Sequence, residues 1–207
     1  LLDKIAKIKN DPSLNFKTVE LLINNNAKIK SDSLAKLLSS PPSYHEKQEK
    51  VKIAKLLLEK GPDNLINEVD EYFYSPLYLA IFYKFDIDFI NLLIENGADL
   101  HYQIPETGST LIQIAAALHL EDITELLLQS GANPYIIDHK GHDVFYYGSN
   151  NLGTPHSENP ILILLAKYSH TKLSSLHHSL TKEEYDSACE EIKLFHNEHS
   201  DWIYDGV

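Results

Sequence analysis

Arginine is missing from this chain of 207 residues, and all 18 basic side chains are lysines. Methionine is missing as well, and cysteine occurs once, at Cys189. One thiol cannot close an internal disulfide, so the fold must rest on a packed core, and the chain fits a reducing compartment such as the cytoplasm. No apolar run approaches the roughly 18 residues of a membrane-spanning helix, so no membrane span is expected. No secretory leader is visible, but the chain begins at Leu1 rather than Met, which reads as a piece of a longer protein. Positive charge is scarce: 30 acidic side chains leave a net charge of −12. The lysines form no basic cluster, which argues against nucleic-acid binding. The acidic surplus fits a solubilising surface first and protein partners with basic patches second. Phosphate loops, HExxH and GxSxG are absent too, so neither a cofactor nor a catalytic residue is expected, and the chain reads as no enzyme. Lysine, asparagine and isoleucine in place of arginine is the composition of an AT-rich genome.

What is present is a repeat. SPLYLA (75–80) followed by FINLLIENGAD (89–99) recurs as STLIQIAA (109–116) followed by DITELLLQSGAN (122–133). Gly97 and Gly131 stand 34 residues apart, as do Ala98 and Ala132. Ser75 or Thr110 can accept a backbone N–H bond as a helix cap. Pro76 suits a first helical position, where its missing N–H costs nothing. Small Ala80, Ala115 and Ala116 allow close helix packing, and Leu77, Leu79, Ile112 and Ile114 fill the core. The glycines end helices at positive φ. Hairpins then run to Gly108 and Gly141.

Fainter copies flank these two. Residues 1–30 read as a helix pair, with Phe16, Val19, Leu22 and Ile23 as the second stripe and Asn26 in the place of Gly97. Residues 31–66 read as another pair. Its outer helix follows a polar insertion to about Glu46, turns Val51, Ala54, Leu57 and Leu58 inward, and stops at Gly61-Pro62. A fifth unit opens with Asp138-His139-Lys140-Gly141 and closes with the apolar run 160–168. Residues 169–207 leave the pattern. Thr181 to Glu184 is a capping box, and Tyr185, Ala188, Cys189, Ile192 and Phe195 make one apolar face. This tail reads as a helical cap over the open end of the array.

A period near 33 with helix, tight turn, helix and Gly-Ala-Asp resembles the ankyrin repeat. The likeness is strongest over 70–143. Tetratricopeptide or HEAT solenoids are the alternative, but they lack the Gly-Ala-Asp hairpin. The resemblance implies an all-α solenoid of about five helix pairs, with units near 1–30, 31–66, 67–104, 105–137 and 138–168. Two departures stand out. Tyr78 and Gln113 occupy the position where the family prefers a histidine that bonds between repeats, so these stacks must be held differently. Repeat three also carries one extra residue near Lys84-Phe85.

The resemblance further implies a non-catalytic scaffold that binds a partner protein on its concave side, through hairpin tips and inner helices. The aligned positions are Glu71, Tyr72, Tyr74, Phe82 and Tyr83; Glu106, Thr107, Ser109, Ala117 and Leu118; and His139, Lys140 and His142. The first group is rich in the aromatics that anchor interfaces. The bland alternative folds Tyr72 or Phe73 back as core. A monomer is expected, acting in the cytoplasm. An effector secreted into a host cytosol and meeting a host protein fits the composition, and the substrate-recruiting portion of a larger enzyme is the other reading. Metal ligation by His177, His178, His196, His199 or Cys189 would need three or four convergent ligands, and packing is the simpler reading. Cys189 has no recognisable base beside it. Asp86, Asp88, Glu183 and Glu184 read as cap and surface charges. His101, after Asp99 in its hairpin, has the spacing of a hydroxylation target in ankyrin families; an ordinary hairpin histidine is the plainer reading.

Overall fold

The computed structural model describes residues 16–149, 160–165 and 167–168. The stripe expected before Phe16 and the cap expected over 169–207 lie outside the described residues. The helices are α1 (Phe16–Asn24), α2 (Ser33–Leu38), α3 (Tyr44–Lys60), α4 (Pro76–Phe82), α5 (Ile87–Glu95), α6 (Leu111–Ala117), α7 (Glu121–Gln129) and α8 (Val144–Ser149). Among the described residues the fold is helical, with β pairing limited to an isolated antiparallel bridge between Gln103 and Thr110. None of the described helices is long and apolar enough to cross a membrane. The chain divides into two compact units, Leu1–Val144 and Phe145–Val207.

In the first unit the helices form two layers. The short helices α2, α4 and α6 pack in succession, and each also packs on the longer helix that follows it. α1 packs on α3, and α5 on α7. α4 is enclosed: Leu77, Tyr78, Leu79, Ala80 and Ile81 are all buried. Leu111, Ile112, Ala115 and Ala116 repeat this in α6, while Ile114 is half-buried. Each fully buried leucine or isoleucine contributes on the order of 2 kcal/mol.

Local chemistry sets the helix ends. Ser75 Oγ accepts from Tyr78 N at 3.2 Å, and Thr110 Oγ1 accepts from Gln113 N at 3.4 Å. Asn26, Gly97 and Gly131 follow α1, α5 and α7 with φ of 61°, 86° and 97°. At each, the next residue reaches back to close the helix: Ala27 N to Leu22 O, Ala98 N to Leu93 O and Ala132 N to Leu127 O, at 2.9–3.1 Å. The inner helices end in the same way at Lys84 and His119, both at φ 54°. From there the chain runs one residue further before α5 than before α7, through Asp86.

α3 differs from its expected form. It starts at Tyr44, so the stretch to Glu46 is its first turn and not an insertion; the Glu46 carboxylate accepts from Ser43 N at 2.6 Å. Its buried stripe is Lys50, Ile53, Ala54 and Leu57, with Val51 and Leu58 half-buried. Gly61 ends it at φ −87°, not in the left-handed region. Space is what demands glycine there, because a β-carbon would stand 2.5 Å from Leu57 O and 2.9 Å from Leu65 Cδ1. A 3-10 turn, Asp63–Ile66, then buries Leu65 and Ile66.

In the second unit, α8 and the helical residues 160–165 bring Gly148 against Ile161, where a β-carbon would stand 2.7 Å from Ile161 Cγ2. Ile161 and Leu165 are buried.

Candidate partner-binding surface

The three hairpins differ in what holds them. In the first, Asp70 Oδ1 accepts from Tyr72 N at 2.9 Å and Tyr74 N at 3.0 Å. In the third, Asp138 Oδ1 accepts from Lys140 N and His142 N, both at 2.8 Å. The second has Ile104 at that place and one more residue in its loop, closed by Gly108 N to Ile104 O at 2.7 Å. All three turn through a left-handed residue: Phe73 at φ 62°, Gly108 at 72° and Gly141 at 83°. Adjacent tips bond to each other. Tyr102 Oη donates to Phe73 O at 2.5 Å, and His139 N donates to Thr107 O at 2.8 Å. His139 Nδ1 also lies 3.3 Å from Glu106 O. At the base, Asn67 binds the next hairpin twice, Nδ2 to Gly97 O at 3.0 Å and Oδ1 from Asp99 N at 2.8 Å.

The first hairpin feeds α4, and the four-residue spacing of Tyr74, Tyr78 and Phe82 puts their rings on one line. Tyr74 stacks on Tyr78 with centroids 4.5 Å apart, and Tyr78 stacks on Phe82 at 5.6 Å. Tyr72 extends the row at 6.5 Å from Tyr74, and Tyr83 meets Phe82 edge-on at 5.3 Å. Offset and edge contacts of this kind stabilise the row beyond simple burial. Tyr78 sits inside it at 7% exposure, whereas Tyr72 is 62% and Phe82 45% exposed. Burial pushes the Tyr78 hydroxyl up to about 12, helped by Tyr74, Tyr83 and Asp70. Burial first, then Asp70, also raises Tyr83 and Tyr102. Tyr83 Oη donates to Ser39 O at 3.3 Å and so ties the row to the end of α2.

The position two residues into α6 joins repeats by a different route. Gln113 is fully buried. Its Oε1 accepts from Thr110 N at 2.7 Å, while its Nε2 donates to Ile136 O at 2.8 Å and His142 O at 2.9 Å. The amide thus caps its own helix and holds the next hairpin. The equivalent Tyr78 has a ring stack instead.

Residues 46–138 match the family model for ankyrin repeats, in three copies. This segment is an ankyrin-repeat array. A further likeness is to human 2-5A-dependent ribonuclease, 38% identical over 60 residues, which is 29% of this chain and 8% of that protein. The chain therefore covers a small part of that relative's length. Ankyrin repeats are protein–protein interaction modules, and the family itself is non-catalytic.

Within the ankyrin array Glu71, Glu106 and Thr107 are exposed and Tyr74, Tyr83 and Leu118 half-buried; just beyond it His139 and Lys140 are exposed and His142 is half-buried. Tyr72, Tyr74, Phe82 and Tyr83 join in one row of rings through Tyr78, and Glu106 and Thr107 join His139. Ser109 does not belong with them. It is 4% exposed, because its carbonyl takes Ile104 N at 3.0 Å and the third hairpin closes over the adjoining Gly108. Phe73 is the surface residue missed by aligning positions: it is 57% exposed and not folded back as core. The signal for it was its alignment with Gly108 and Gly141. An open depression of 430 Å³ lined by Lys28, Ile29, Lys30, Ser31, Asp32, Pro62 and Asn64 lies apart from these rings in sequence.

Proposed function

We propose that the chain is a non-catalytic module that binds a partner protein through the row of rings on α4, the hairpin tips beside it and the exposed end of α6. The observation that carries this is the row of rings from Tyr72 to Tyr83, whose members Tyr72 and Phe82 are close to or above half exposure, with the exposed Phe73 next to Tyr72 in the chain. Large rigid rings supply interface area at little entropic cost, and tyrosine is enriched among the residues that dominate binding. Glu71, Glu106, Thr107, His139, Lys140 and His142 would form the polar rim, and Leu118 a second apolar contact. The array in this reading runs over 1–168, with 169–207 as its helical cap. It acts as a cytoplasmic monomer, and the arginine-free composition supports an effector working in the cytosol of a host cell.

The test is affinity capture from a lysate with the wild type, Tyr72→Ala/Phe82→Ala and Tyr44→Ala. Tyr44 is 73% exposed on α3 and serves as control. Capture should fail for the double variant and persist for Tyr44→Ala. Equal capture by all three overturns the reading. A second reading has its own support: the likeness to a ribonuclease of which this chain spans 8%. There the array recruits a substrate or partner to a catalytic domain elsewhere in a longer protein. A gene encoding a nuclease or other enzyme domain in frame with these residues would decide for it.

A further inference from the structure

The first hairpin holds a carboxylate that no cation among the described residues pairs with. Asp70 is 6% exposed. One oxygen is used by the turn, but Oδ2 is buried with no hydrogen-bond partner among the described residues. Among the described residues no ion pair reaches it either. The third hairpin builds the same turn on Asp138, and there the second oxygen lies 3.7 Å from His142 Nδ1. Four residues after Asp70 stands Tyr74, a neutral ring, in the place of that imidazole.

The aromatic tip has an unusual backbone for its composition. Phe73 takes the left-handed conformation that glycine takes in the other two hairpins. A side chain is disfavoured there, and at 57% exposure burial does not compensate. Strain kept at an exposed position points to use of that side chain.

Charge decides what the surface would take. Ring faces carry negative potential and attract ammonium and guanidinium groups. A buried carboxylate in the same hairpin is poorly screened and adds to that field. Its influence already reaches Tyr78, Tyr83 and Tyr102, where it acts after burial. Glu71 adds an exposed negative charge at the tip. The cations nearby lie at the opposite end of α4, where Lys47 Nζ donates to Lys84 O at 2.7 Å and sits 5.7 Å from the Phe85 ring. The surface is therefore negative and aromatic at its hairpin end.

We propose that the tip 70–74 receives a cationic side chain, lysine or arginine, from a basic segment of the partner protein, with Tyr72 and Phe73 contacting the cation and Glu71 and Asp70 supplying counter-charge. This rests on the aromatic face being the partner surface. Nucleic acid is disfavoured by the same charges.

The test is calorimetric titration of the full chain with two peptides of about 16 residues, one alternating lysine and glycine, the other glutamate and glycine, in low and high salt. The lysine peptide should bind, more weakly in high salt, and the glutamate peptide should not. Glu71→Gln and Tyr72→Leu should each weaken binding about two- to five-fold, as expected for one exposed cation–ring contact or charge. Asp70→Asn keeps an oxygen for the turn and should weaken it comparably. Glu71 is exposed, so its variant reads binding even if Asp70→Asn unfolds. Glu121→Gln, an exposed acid on α7, should change nothing. Equal loss with Glu121→Gln would mean general attraction to a net charge of −12 and would overturn the proposal. So would equal binding of the two peptides. If that happens while Tyr72→Ala/Phe82→Ala still abolishes protein capture, the binding surface stands and the cationic partner class falls.

Discussion

Replacing Gln113 by leucine keeps the volume of a fully buried side chain and deletes three hydrogen bonds, which makes the change a direct measure of what holds the repeats together. Thr110 N and Ile136 O lose the bonds at 2.7 Å and 2.8 Å. His142 O loses one at 2.9 Å but keeps Asp138 N, also at 2.9 Å. Leaving a buried donor or acceptor unpaired costs about 1–3 kcal/mol each, and losing one of two bonds about 0.5 kcal/mol. Against this the leucine gains on the order of 1 kcal/mol of apolar burial. The net loss is therefore about 3 kcal/mol, concentrated at the joint between the α6 unit and the hairpin 138–142. Urea unfolding followed by far-ultraviolet circular dichroism reads the loss as a lower midpoint. Because a repeat array is held by nearest-neighbour interfaces, the transition should also broaden or split, and amide exchange at Asp138 and His142 should quicken more than at Leu93. Histidine, the family's preference here, can donate to one of the two carbonyls and should recover about half of the loss. A leucine variant within about 1 kcal/mol of wild type, with unchanged exchange at Asp138, would refute the role given to the amide.

Three more outcomes follow from particular residues. Gly108→Ala should cost well over 2 kcal/mol in thermal unfolding and Gly131→Ala roughly 1 kcal/mol: both have positive φ, but only at Gly108 would a β-carbon meet a neighbour, 2.5 Å from His139 Cδ2 and 2.9 Å from His139 N. Burial depresses the Lys50 ammonium from its ordinary 10.5 to about 8, with Glu46 partly opposing; the unfolded chain then binds more protons between those values, so wild-type stability should rise with pH through about 8–10.5 and the gain should vanish in Lys50→Met, by up to about 3 kcal/mol at full titration. Phe73→Gly should leave stability unchanged or raise it by up to roughly 1 kcal/mol, since relief of left-handed strain offsets glycine's entropy; a loss above about 1 kcal/mol would show that the ring supports the fold.

The features legible in the sequence were those set by local chemistry. Ser75, Thr110 and Pro76 act within one helical turn, and Asn26, Gly97 and Gly131 are fixed by the φ that a helix end requires, so their roles could be read from spacing alone. Residues whose roles depend on distant partners were harder to read. Lys50 counts as a surface residue in any periodic pattern, yet its Nζ donates to Ser40 O and Oγ, both at 2.8 Å, beyond the end of α2. Val51 took its place in the expected stripe for that reason. Ser109 looks like a polar hairpin residue and is buried because a neighbouring hairpin covers the turn. Gln113 was visible as a departure from the family pattern, but its two acceptors lie 23 and 29 residues away and meet it through the fold.

Lys50 and Phe73 both break a local rule, and the difference between them bears on where function lies. Lys50 is a charge placed in a core, but its ammonium has two oxygen acceptors and sits on an enclosed helix joint. Its exception is satisfied from within, and it gives a partner nothing to touch. Phe73 is an apolar ring placed outside, on a backbone that favours glycine, in the same turn as a buried carboxylate oxygen with no hydrogen-bond partner among the described residues. Its backbone is held by Tyr102 Oη on its carbonyl and by its own N–H on Asp70 O, but its ring stays 57% exposed. Polar satisfaction, packing and backbone preference agree along most of this array, and a sequence that specifies one structure is expected to depart from such agreement where binding demands it. By that criterion the first hairpin is where the proposed partner contact is expected, and the third, which builds the same turn on Asp138 with glycine at the left-handed position, is the regular form it departs from.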